Sequence, residues 1–415
     1  MAYHLIGHPL GHSCSPELHR LLGNPDYGLL DLPEDEVEAL ILGKAYDGLN
    51  VTIPYKRKAA ALMDVLTDRA RETGAVNTVV KTPDGKLLGD NTDIDGLTQL
   101  AAKAGIALKG RRVLILGTGG TAQTADYVAR KNGAASVRQV SRSGALNYQN
   151  VYEQASDSEV IINATPVGMS PDLDGQPVDL SCFPALRGVL DVVYNPLRTA
   201  LTEQARALGI PCANGLRMLA EQARTAEALF MGKAVSDETA NRAYKELLRN
   251  HTSIVLIGMP GCGKSSVGKA VAAAMHRAFL DTDQMVVQAS GMEIPAVFAK
   301  YGEARFRELE AEAVREASAR QGAVIAVGGG APLRPENRVH LRRNGWICLV
   351  RRPLDRLDRA GRPLSASDEA LARMAELREP YYTSLAEAWV TNESSVDDCA
   401  KRIMEAFESH ADSGD

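Results

Sequence analysis

Two glycine-rich turns, each entered from an apolar strand and left through a helix-prone run, constrain this chain more than any other feature. Residues 112–122 read Arg-Val-Leu-Ile-Leu-Gly-Thr-Gly-Gly-Thr-Ala, and residues 254–266 read Ile-Val-Leu-Ile-Gly-Met-Pro-Gly-Cys-Gly-Lys-Ser-Ser. The first suits the pyrophosphate of a dinucleotide and the second a nucleoside triphosphate. A strand, a tight turn and a helix N-terminus must follow one another at both places, so an α/β fold with parallel strands is required twice.

The rest of the sequence agrees with two such units. Its 415 residues allow two to four domains, and 45% apolar with 24% charged residues is enough to give each a core. The net charge of −5 argues against nucleic-acid binding. Apolar runs are strand-sized, well short of the roughly 20 residues that cross a bilayer. The N-terminus lacks a basic stretch followed by a long apolar run, so neither a signal peptide nor a membrane partner is expected. The six cysteines form no C-x-x-C pair and read as free thiols in a reducing, cytoplasmic setting. Four histidines (His4, His8, His12, His19) crowd the first 19 residues, without paired Cys or Glu at ligand spacing, and read as a loop rather than a metal site.

Periodicity places strands at Tyr3–Ile6 and Leu49–Ile53, with a helix from Ser15 to Leu22. A second series of strands is expected at 111–117, 136–140, 159–163 and 188–193, alternating with helices and therefore parallel. Residues 215–249 read as strongly helical. A third α/β unit then begins, with strands near 254–257, 278–281, 323–327 and 346–350. The junction near 249–253 is short. The expected domains are 1–92 with 214–248, 93–213, and 250–415.

In Gly117-Thr118-Gly119-Gly120-Thr121-Ala122 the glycines permit close approach of backbone to phosphate, and the helix from about 121 to 131 offers free N–H groups. A third glycine of G-x-G-x-x-G is absent, with Ala122 nearby. The following strand ends in Ser141-Arg142-Ser143; an Arg flanked by hydroxyls suits the 2′-phosphate of NADP better than the ribose diol of NAD. Upstream, Ser13 and Ser15, Thr52 and Lys56 in Asn-Val-Thr-Ile-Pro-Tyr-Lys, Asn77, and Asp93 in Asn-Thr-Asp supply hydroxyls, an amide and a Lys–Asp couple. Hydroxyls and amides hold a polyol, and a lysine beside an aspartate can pass a proton to a carbonyl oxygen as hydride arrives at its carbon. Read singly, the serines serve equally as helix caps and Lys56 as a surface lysine.

Together with Asn163-Ala164-Thr165-Pro166-Val167-Gly168-Met169, these runs closely resemble shikimate dehydrogenase over about residues 1–245. The resemblance implies that Ser13, Ser15, Thr52, Asn77, Asp93 and Gln222 hold shikimate, that Lys56 is the catalytic lysine with Asp93 its partner, and that Tyr194 and Gly215 lie near the nicotinamide and substrate. Asn214 stands where an Asp is expected.

In Gly258-Met259-Pro260-Gly261-Cys262-Gly263-Lys264-Ser265-Ser266, backbone N–H groups wrap a β-phosphate, Lys264 reaches the β and γ oxygens of ATP, and Ser265 ligates Mg²⁺. Asp281-Thr282-Asp283 ends the next expected strand, which would point both carboxylates the same way, one toward Mg²⁺ and one toward a substrate hydroxyl. A helix N-cap is the alternative for either. With Gly302-Glu303-Ala304-Arg305-Phe306-Arg307-Glu308-Leu309-Glu310, Val327-Gly328-Gly329-Gly330, Gly361-Arg362-Pro363-Leu364 and Arg378 before Tyr381-Tyr382, this region closely resembles shikimate kinase over about 252–405. The resemblance implies that Asp283, Arg307, Gly329, Gly330 and Arg378 bind shikimate, that Arg362 closes a lid on the phosphates, and that Asp281 holds Mg²⁺ through water. No Walker-B run precedes a carboxylate, and the short span from Arg352 to Arg362 makes for a compact lid.

The expectation is a bifunctional enzyme of aromatic amino acid biosynthesis. One half reduces 3-dehydroshikimate with NADPH, and the other phosphorylates the shikimate formed at its 3-hydroxyl with ATP and Mg²⁺. Its partners are small-molecule substrates, and a homodimer through the dehydrogenase half is open. The alternative is an active shikimate or quinate dehydrogenase whose P-loop module senses ATP or shikimate without turnover.

Overall fold

A computed structural model of the chain describes residues 3–11, 13–358 and 368–413. The chain divides into two compact units between Leu247 and Leu248.

The first unit holds two sheets. One contains β1 (Tyr3–Gly7), β2 (Tyr27–Asp31), β3 (Gly48–Val51), β4 (Val65–Leu66), β5 (Thr78–Lys81) and β6 (Leu87–Asp90), in the order β2-β1-β3-β5-β6-β4. β1 runs parallel to β2 and β3, whereas β5 is antiparallel to both β3 and β6. The turn 82–86 between β5 and β6 is too short for the crossover that a parallel pair needs. Strands and helices of this region thus alternate as far as β5, and the alternation breaks at the β5–β6 hairpin.

The other sheet contains β7 (Arg112–Leu116), β8 (Ser136–Val140), β9 (Val160–Asn163), β10 (Gly188–Asp191) and β11 (Cys212–Ala213), in the order β11-β10-β9-β7-β8, all parallel. β7 is apolar on both sides because both faces are covered. Val113 and Ile115 pack with Leu97, Ala122 and Val128, and Leu114 and Leu116 pack with Phe183 and Leu201. The helices Asp93–Lys103 and Leu216–Met231 lie against each other. Gly96 makes this possible, since a Cβ there would stand 2.6 Å from the Met218 carbonyl oxygen. The helical run expected over 215–249 is two helices, Leu216–Met231 and Asp237–His251, because Gly232 at φ 62° ends the first.

The second unit is one parallel sheet of β12 (Ser253–Ile257), β13 (Phe279–Asp281), β14 (Val324–Ala326), β15 (Gly345–Arg351) and β16 (Ala388–Thr391), in the order β13-β14-β12-β15-β16. β12 sits at the centre and is buried throughout. The sequence reading missed β16, a short edge strand whose Trp389 is 62% exposed. No described helix is long and apolar enough to cross a membrane.

Candidate active sites

In the first unit, β3 ends at Val51 and the chain passes through Thr52 to Lys56, the first residue of the helix Lys56–Ala61. Asp93 opens the helix Asp93–Lys103, where the N-terminal dipole end favours a carboxylate. The two meet: Lys56 Nζ lies 2.5 Å from Asp93 Oδ2, with the side chains only 15% and 10% exposed. Asn77 Nδ2 donates to the other oxygen, Oδ1, at 2.9 Å, and approaches Gln222 Oε1 at 3.5 Å. Lys56, Asn77, Asp93 and Gln222 therefore converge from four separate stretches of chain.

Ser13 and Ser15 lie side by side, their hydroxyl oxygens 3.1 Å apart, with Ser15 N donating to Ser13 Oγ. Neither caps the helix Ser15–Leu21, whose N-cap is Cys14. That helix is stapled to Leu216–Met231, the helix of Gln222, by a buried bond between His19 Nδ1 and Glu227 Oε1, with Asn24 Nδ2 donating to the same oxygen at 2.9 Å. Burial pushes the His19 pKa down, and the Glu227 carboxylate opposes the shift. No local signal marks this pair in the sequence, because its partners lie 208 residues apart.

The glycine-rich turn leaves β7 at Gly117, which has φ 110°. A Cβ at Gly117 would meet Thr165 Cγ2 at 3.0 Å. In contrast, one at Gly119 would meet nothing within 4 Å, and one at Gly120 only Lys56 Cδ at 4.0 Å. The open side of the turn thus looks toward the catalytic lysine candidate. With Gly119 as N-cap of the helix Gly120–Lys131 and no side-chain cap, the helix N–H groups are free for an anion. These residues fit the pyrophosphate of a dinucleotide. Thr118 and Gly119 are exposed and Thr121 is half-buried.

Ala122, assigned as a cofactor contact, has only its backbone to offer one. Its side chain is fully buried in the core, so it takes the part of the missing third glycine, close packing of helix on sheet. Gly215 is likewise needed internally, since a Cβ would lie 2.0 Å from the Val192 carbonyl oxygen. Tyr194 is half-buried, and burial raises its pKa. Ser141 accepts from Gly144 N at 2.6 Å, while Arg142 and Ser143 at the end of β8 are exposed. Asn214 has its own explanation: Nδ2 donates to the Leu197 carbonyl at 2.6 Å and Oδ1 accepts from Leu216 N at 3.0 Å. An ionised aspartate could not make the first bond.

One buried acid escaped the sequence reading. Asp191, at the end of β10, accepts from Asn163 Nδ2 at 2.9 Å, Val193 N at 3.1 Å and Thr199 Oγ1 at 2.6 Å. Asn163 Oδ1 in turn holds Thr165. This knot ties together the loops at the carboxyl ends of β9 and β10. Burial raises the Asp191 pKa to about 6 against the three hydrogen bonds.

In the second unit β12 enters a loop with Gly258, Gly261 and Gly263 at φ 143°, 82° and 95°. These are glycine conformations, and a Cβ at Gly258 would also stand 2.4 Å from the Val350 carbonyl oxygen. Lys264 begins the helix Lys264–Ala274 and donates to the carbonyls of Gly258 at 2.9 Å and Met259 at 3.0 Å. Cys262 is fully buried; its sulfur accepts from Lys264 Nζ at 3.7 Å and its carbonyl from Asn392 Nδ2 at 2.8 Å.

Ser265 Oγ donates to Asp281 Oδ2 at 2.6 Å. Asp281 Oδ1 caps the next helix, Thr282–Ser290, accepting from Asp283 N at 3.0 Å and Gln284 N at 3.4 Å. The expected strand therefore stops at Asp281, and Asp283 lies in the first helical turn. Both carboxylates still line one cavity of about 610 Å³, together with Lys264, Ser265, Arg307 and Arg378. Ser266, Gly261, Gly263, Gly329 and Gly330 line it too.

The glycine run after β14 is a floor for the charged groups. A Cβ at Gly328 would reach Asp283 Oδ1 at 2.6 Å, and one at Gly330 would reach Arg307 Nη1 at 2.4 Å. Gly302, at φ 79°, interrupts the helix Ile294–Ala319, and Arg307 follows it. Arg307 donates to Glu310 Oε2 at 2.8 Å. Burial raises the Glu310 pKa, Arg307 opposing it. Sequence reasoning quoted Glu310 without giving it a part. Arg378 is 7% exposed and its Nη1 is buried with no hydrogen-bond partner, which fits an anionic group of a ligand. The loop glycines, the helix N-terminus and Lys264 fit a polyphosphate, and Ser265 with Asp281 offers the oxygen donors that Mg²⁺ takes. Arg362, and with it the lid expected there, lies outside the described residues.

A lysine–carboxylate couple facing an open dinucleotide turn, and a P-loop cavity with three aspartates and three arginines in its lining, define a nucleotide-dependent α/β enzyme with two sites. Comparisons with known proteins specify it further. The model of the shikimate dehydrogenase substrate binding domain matches residues 5–79, and that of shikimate kinase matches residues 260–408. The shikimate dehydrogenase (NADP(+)) of Thioalkalivibrio sulfidiphilus is 37% identical over 256 residues, which is 55% of this chain and 93% of the relative. That of Methylobacterium radiotolerans is 37% identical over 249 residues, covering 53% and 87%.

Among solved structures, a chorismate mutase/shikimate 5-dehydrogenase fusion protein from Clostridium acetobutylicum superposes with a TM-score of 0.56 at 29% identity, covering 59% of this chain and 96% of the other. Shikimate 5-dehydrogenase from Thermus thermophilus, in complex with NADP(H) and shikimate, gives 0.53 at 30% identity, covering 60% and 100%. The chain belongs to the shikimate dehydrogenase family and carries a shikimate kinase family domain toward its C-terminal end.

Proposed function

We propose that the chain is a bifunctional cytoplasmic enzyme that reduces 3-dehydroshikimate to shikimate with NADPH and then phosphorylates shikimate at its 3-hydroxyl with ATP. The observation that carries the first half is the Lys56–Asp93 pair beside the open side of the Gly117–Gly120 turn. NADPH supplies the hydride when bound, and ATP with Mg²⁺ supplies the phosphoryl group and counter-charge.

Lys56 Nζ gives a proton to the carbonyl oxygen as its carbon receives hydride, leaving an alcohol. The lysine then regains a proton from water. Asp93 holds Lys56 in place and, with Asn77, Gln222, Thr52 and the Ser13–Ser15 pair, bonds the ring substituents. Ser141, Arg142 and Ser143 face the 2′-phosphate, and Gly117 to Thr121 the pyrophosphate, with Tyr194 and Gly215 toward the nicotinamide. In the second unit Asp283 accepts the proton of the attacking hydroxyl, and Arg307 and Arg378 grip the substrate carboxylate bidentately. Lys264 would exchange its carbonyl partners for phosphate oxygens, Ser265 would hold Mg²⁺ with Asp281 reaching it through water, and Arg362 would complete the charge around the transferring group. The unpaired buried Nη1 of Arg378 supports this half.

The working division remains 1–92 with 214–248, 93–213 and 250–415, a reading supported by one sheet in each. The test is incubation of the purified protein with 3-dehydroshikimate, NADPH, ATP and Mg²⁺, leaving out one component at a time and identifying the products. Shikimate without ATP, and shikimate 3-phosphate with everything present, are expected. Shikimate as the end product of the complete mixture would leave the P-loop unit a sensor rather than a kinase.

A further inference from the structure

Behind Asn77 and Asp93 lie three buried polar side chains, Tyr27, Asn50 and Thr78, that the reaction as described does not use. Tyr27 Oη lies 2.7 Å from Asn50 Oδ1. Asn50 Nδ2 lies 3.1 Å from the Asn77 carbonyl oxygen and 3.0 Å from Thr78 Oγ1. Thr78 Oγ1 lies 3.1 Å from Asn77 Oδ1, and Asn77 Nδ2 donates to Asp93 Oδ1. All five side chains are at most 7% exposed. Tyr27 is further held by its ring, which stacks on His19 with centroids 3.7 Å apart and planes 4° from parallel.

The orientation of both amides follows from backbone groups that have no choice. The Asn77 carbonyl can only accept, so the Asn50 amide nitrogen must face it, and Asn50 Oδ1 must face Tyr27. The Tyr27 hydroxyl is then the donor. At the other end Thr92 N–H, 2.7 Å from Asn77 Oδ1, can only donate. Asn77 Oδ1 therefore faces Thr92, and Asn77 Nδ2 faces Asp93. Thr78, between the two amides, accepts from Asn50, and its own proton goes either to Asn77 Oδ1 or to Thr92 Oγ1, 3.1 Å away, which itself lies 3.1 Å from Asn77 Oδ1; both routes end on the Asn77 amide. Each donor points toward the carboxylate, and bonds aligned this way strengthen one another.

We infer that Tyr27, Asn50 and Thr78 are positioning residues, a one-way hydrogen-bond chain that fixes the Asn77 amide against Asp93 and so fixes the carboxylate that holds Lys56. The inference rests on the reading of the first unit as a 3-dehydroshikimate reductase, and none of the three residues needs to touch substrate. It also assigns a reason to the Asn50 of the Asn-Val-Thr run and to the threonine after Asn77.

Thr78→Val tests it with little disturbance. Valine has the same shape and suits a strand. Asn50 Nδ2 keeps the Asn77 carbonyl, and Asn77 Oδ1 keeps Thr92 N, so no buried group is stranded. Steady-state NADPH oxidation with 3-dehydroshikimate should show kcat about tenfold lower, the worth of one ordinary hydrogen bond, with KM for NADPH unchanged. Thr78→Ser, which restores the hydroxyl, should return kcat to within about twofold of wild type. Tyr27→Phe, which removes the leading O–H, should lower kcat in the same sense and serves if the valine variant does not fold. A wild-type protein that fails to oxidise NADPH would overturn the reductase reading and the chain with it. An active wild type matched in kcat by folded Thr78→Val, or by folded Tyr27→Phe where the valine variant is unfolded, overturns the chain alone, as does a serine variant no better than the valine.

Discussion

Replacing Lys56 by methionine isolates the proton-transfer step from the structure around it. The unbranched methionine stem keeps the volume beside Gly120, where Lys56 Cδ stands 4.0 Å from a notional Cβ, so cofactor binding should be preserved. The ammonium is lost. General acid catalysis contributes roughly 10²–10⁴-fold, and the midpoint, about 10³, corresponds to about 4 kcal/mol of barrier. The stability cost should be smaller. The Lys56–Asp93 pair is 15% and 10% exposed, and Asp93 keeps Asn77 Nδ2 at 2.9 Å and the helix N-terminus. We expect about 1–2 kcal/mol, below the 3–5 of a pair broken in a dry interior, and hence a fall of about 2–8 °C in the melting temperature of the first unit.

The assay is the loss of NADPH absorbance at saturating 3-dehydroshikimate, run beside ATP-dependent phosphorylation of added shikimate by the same preparation. The expected result is kcat down about a thousandfold for reduction and unchanged phosphorylation, because Lys56 belongs to the first compact unit and the P-loop to the second. Reduction retained to within about tenfold would refute Lys56 as the proton donor. A folded variant that loses both activities would refute the independence of the two sites.

Three further outcomes are expected. Lys264→Ala should lower phosphoryl transfer by about 10²–10³-fold, through loss of charge stabilisation at the phosphates, while NADPH oxidation stays at the wild-type rate. Arg142→Ala should raise KM for NADPH about tenfold or more, the worth of a charge-assisted hydrogen bond, and leave KM for NADH unchanged; equal effects on both cofactors would remove Arg142 from the 2′-phosphate. The Asp191 carboxyl, lifted from 3.8 to about 6 by burial, binds more protons folded than unfolded between those values, so its contribution to stability is greatest below pH 3.8 and falls as pH rises to about 6. The difference is about 3 kcal/mol. Asp191→Asn removes it, so the stability of wild type relative to the variant, from urea unfolding of the first unit, should drop by about that amount between about pH 4 and about pH 7; a constant difference would mean the carboxyl is not lifted.

Both phosphate-binding turns, the strands that lead into them and the kinship of each half could be read from consecutive residues. The physical reason is range. A strand period, a glycine at positive φ and a helix start are set by neighbours within a few positions, so Gly117 to Gly120 and Gly258 to Ser265 carry their own structure. Even there, tertiary packing had the last word: Ala122 turned into the core, Asp283 passed from strand to helix, and β16 formed as an edge strand whose outward Trp389 hid it. What only the folded chain decided was which distant side chains meet. His19 finds Glu227 across 208 residues, Lys56 finds Asp93 across 37, and Asp191 closes on Asn163 across 28. The bond from the Asn214 amide to the Leu197 carbonyl, across 17 residues, and the chain from Tyr27 to Asp93 belong to the same class, since the groups that orient them are ones the sequence leaves apart. A run of residues fixes the backbone it can adopt locally; the environment that sets a side chain's charge and direction exists only once the layers have packed.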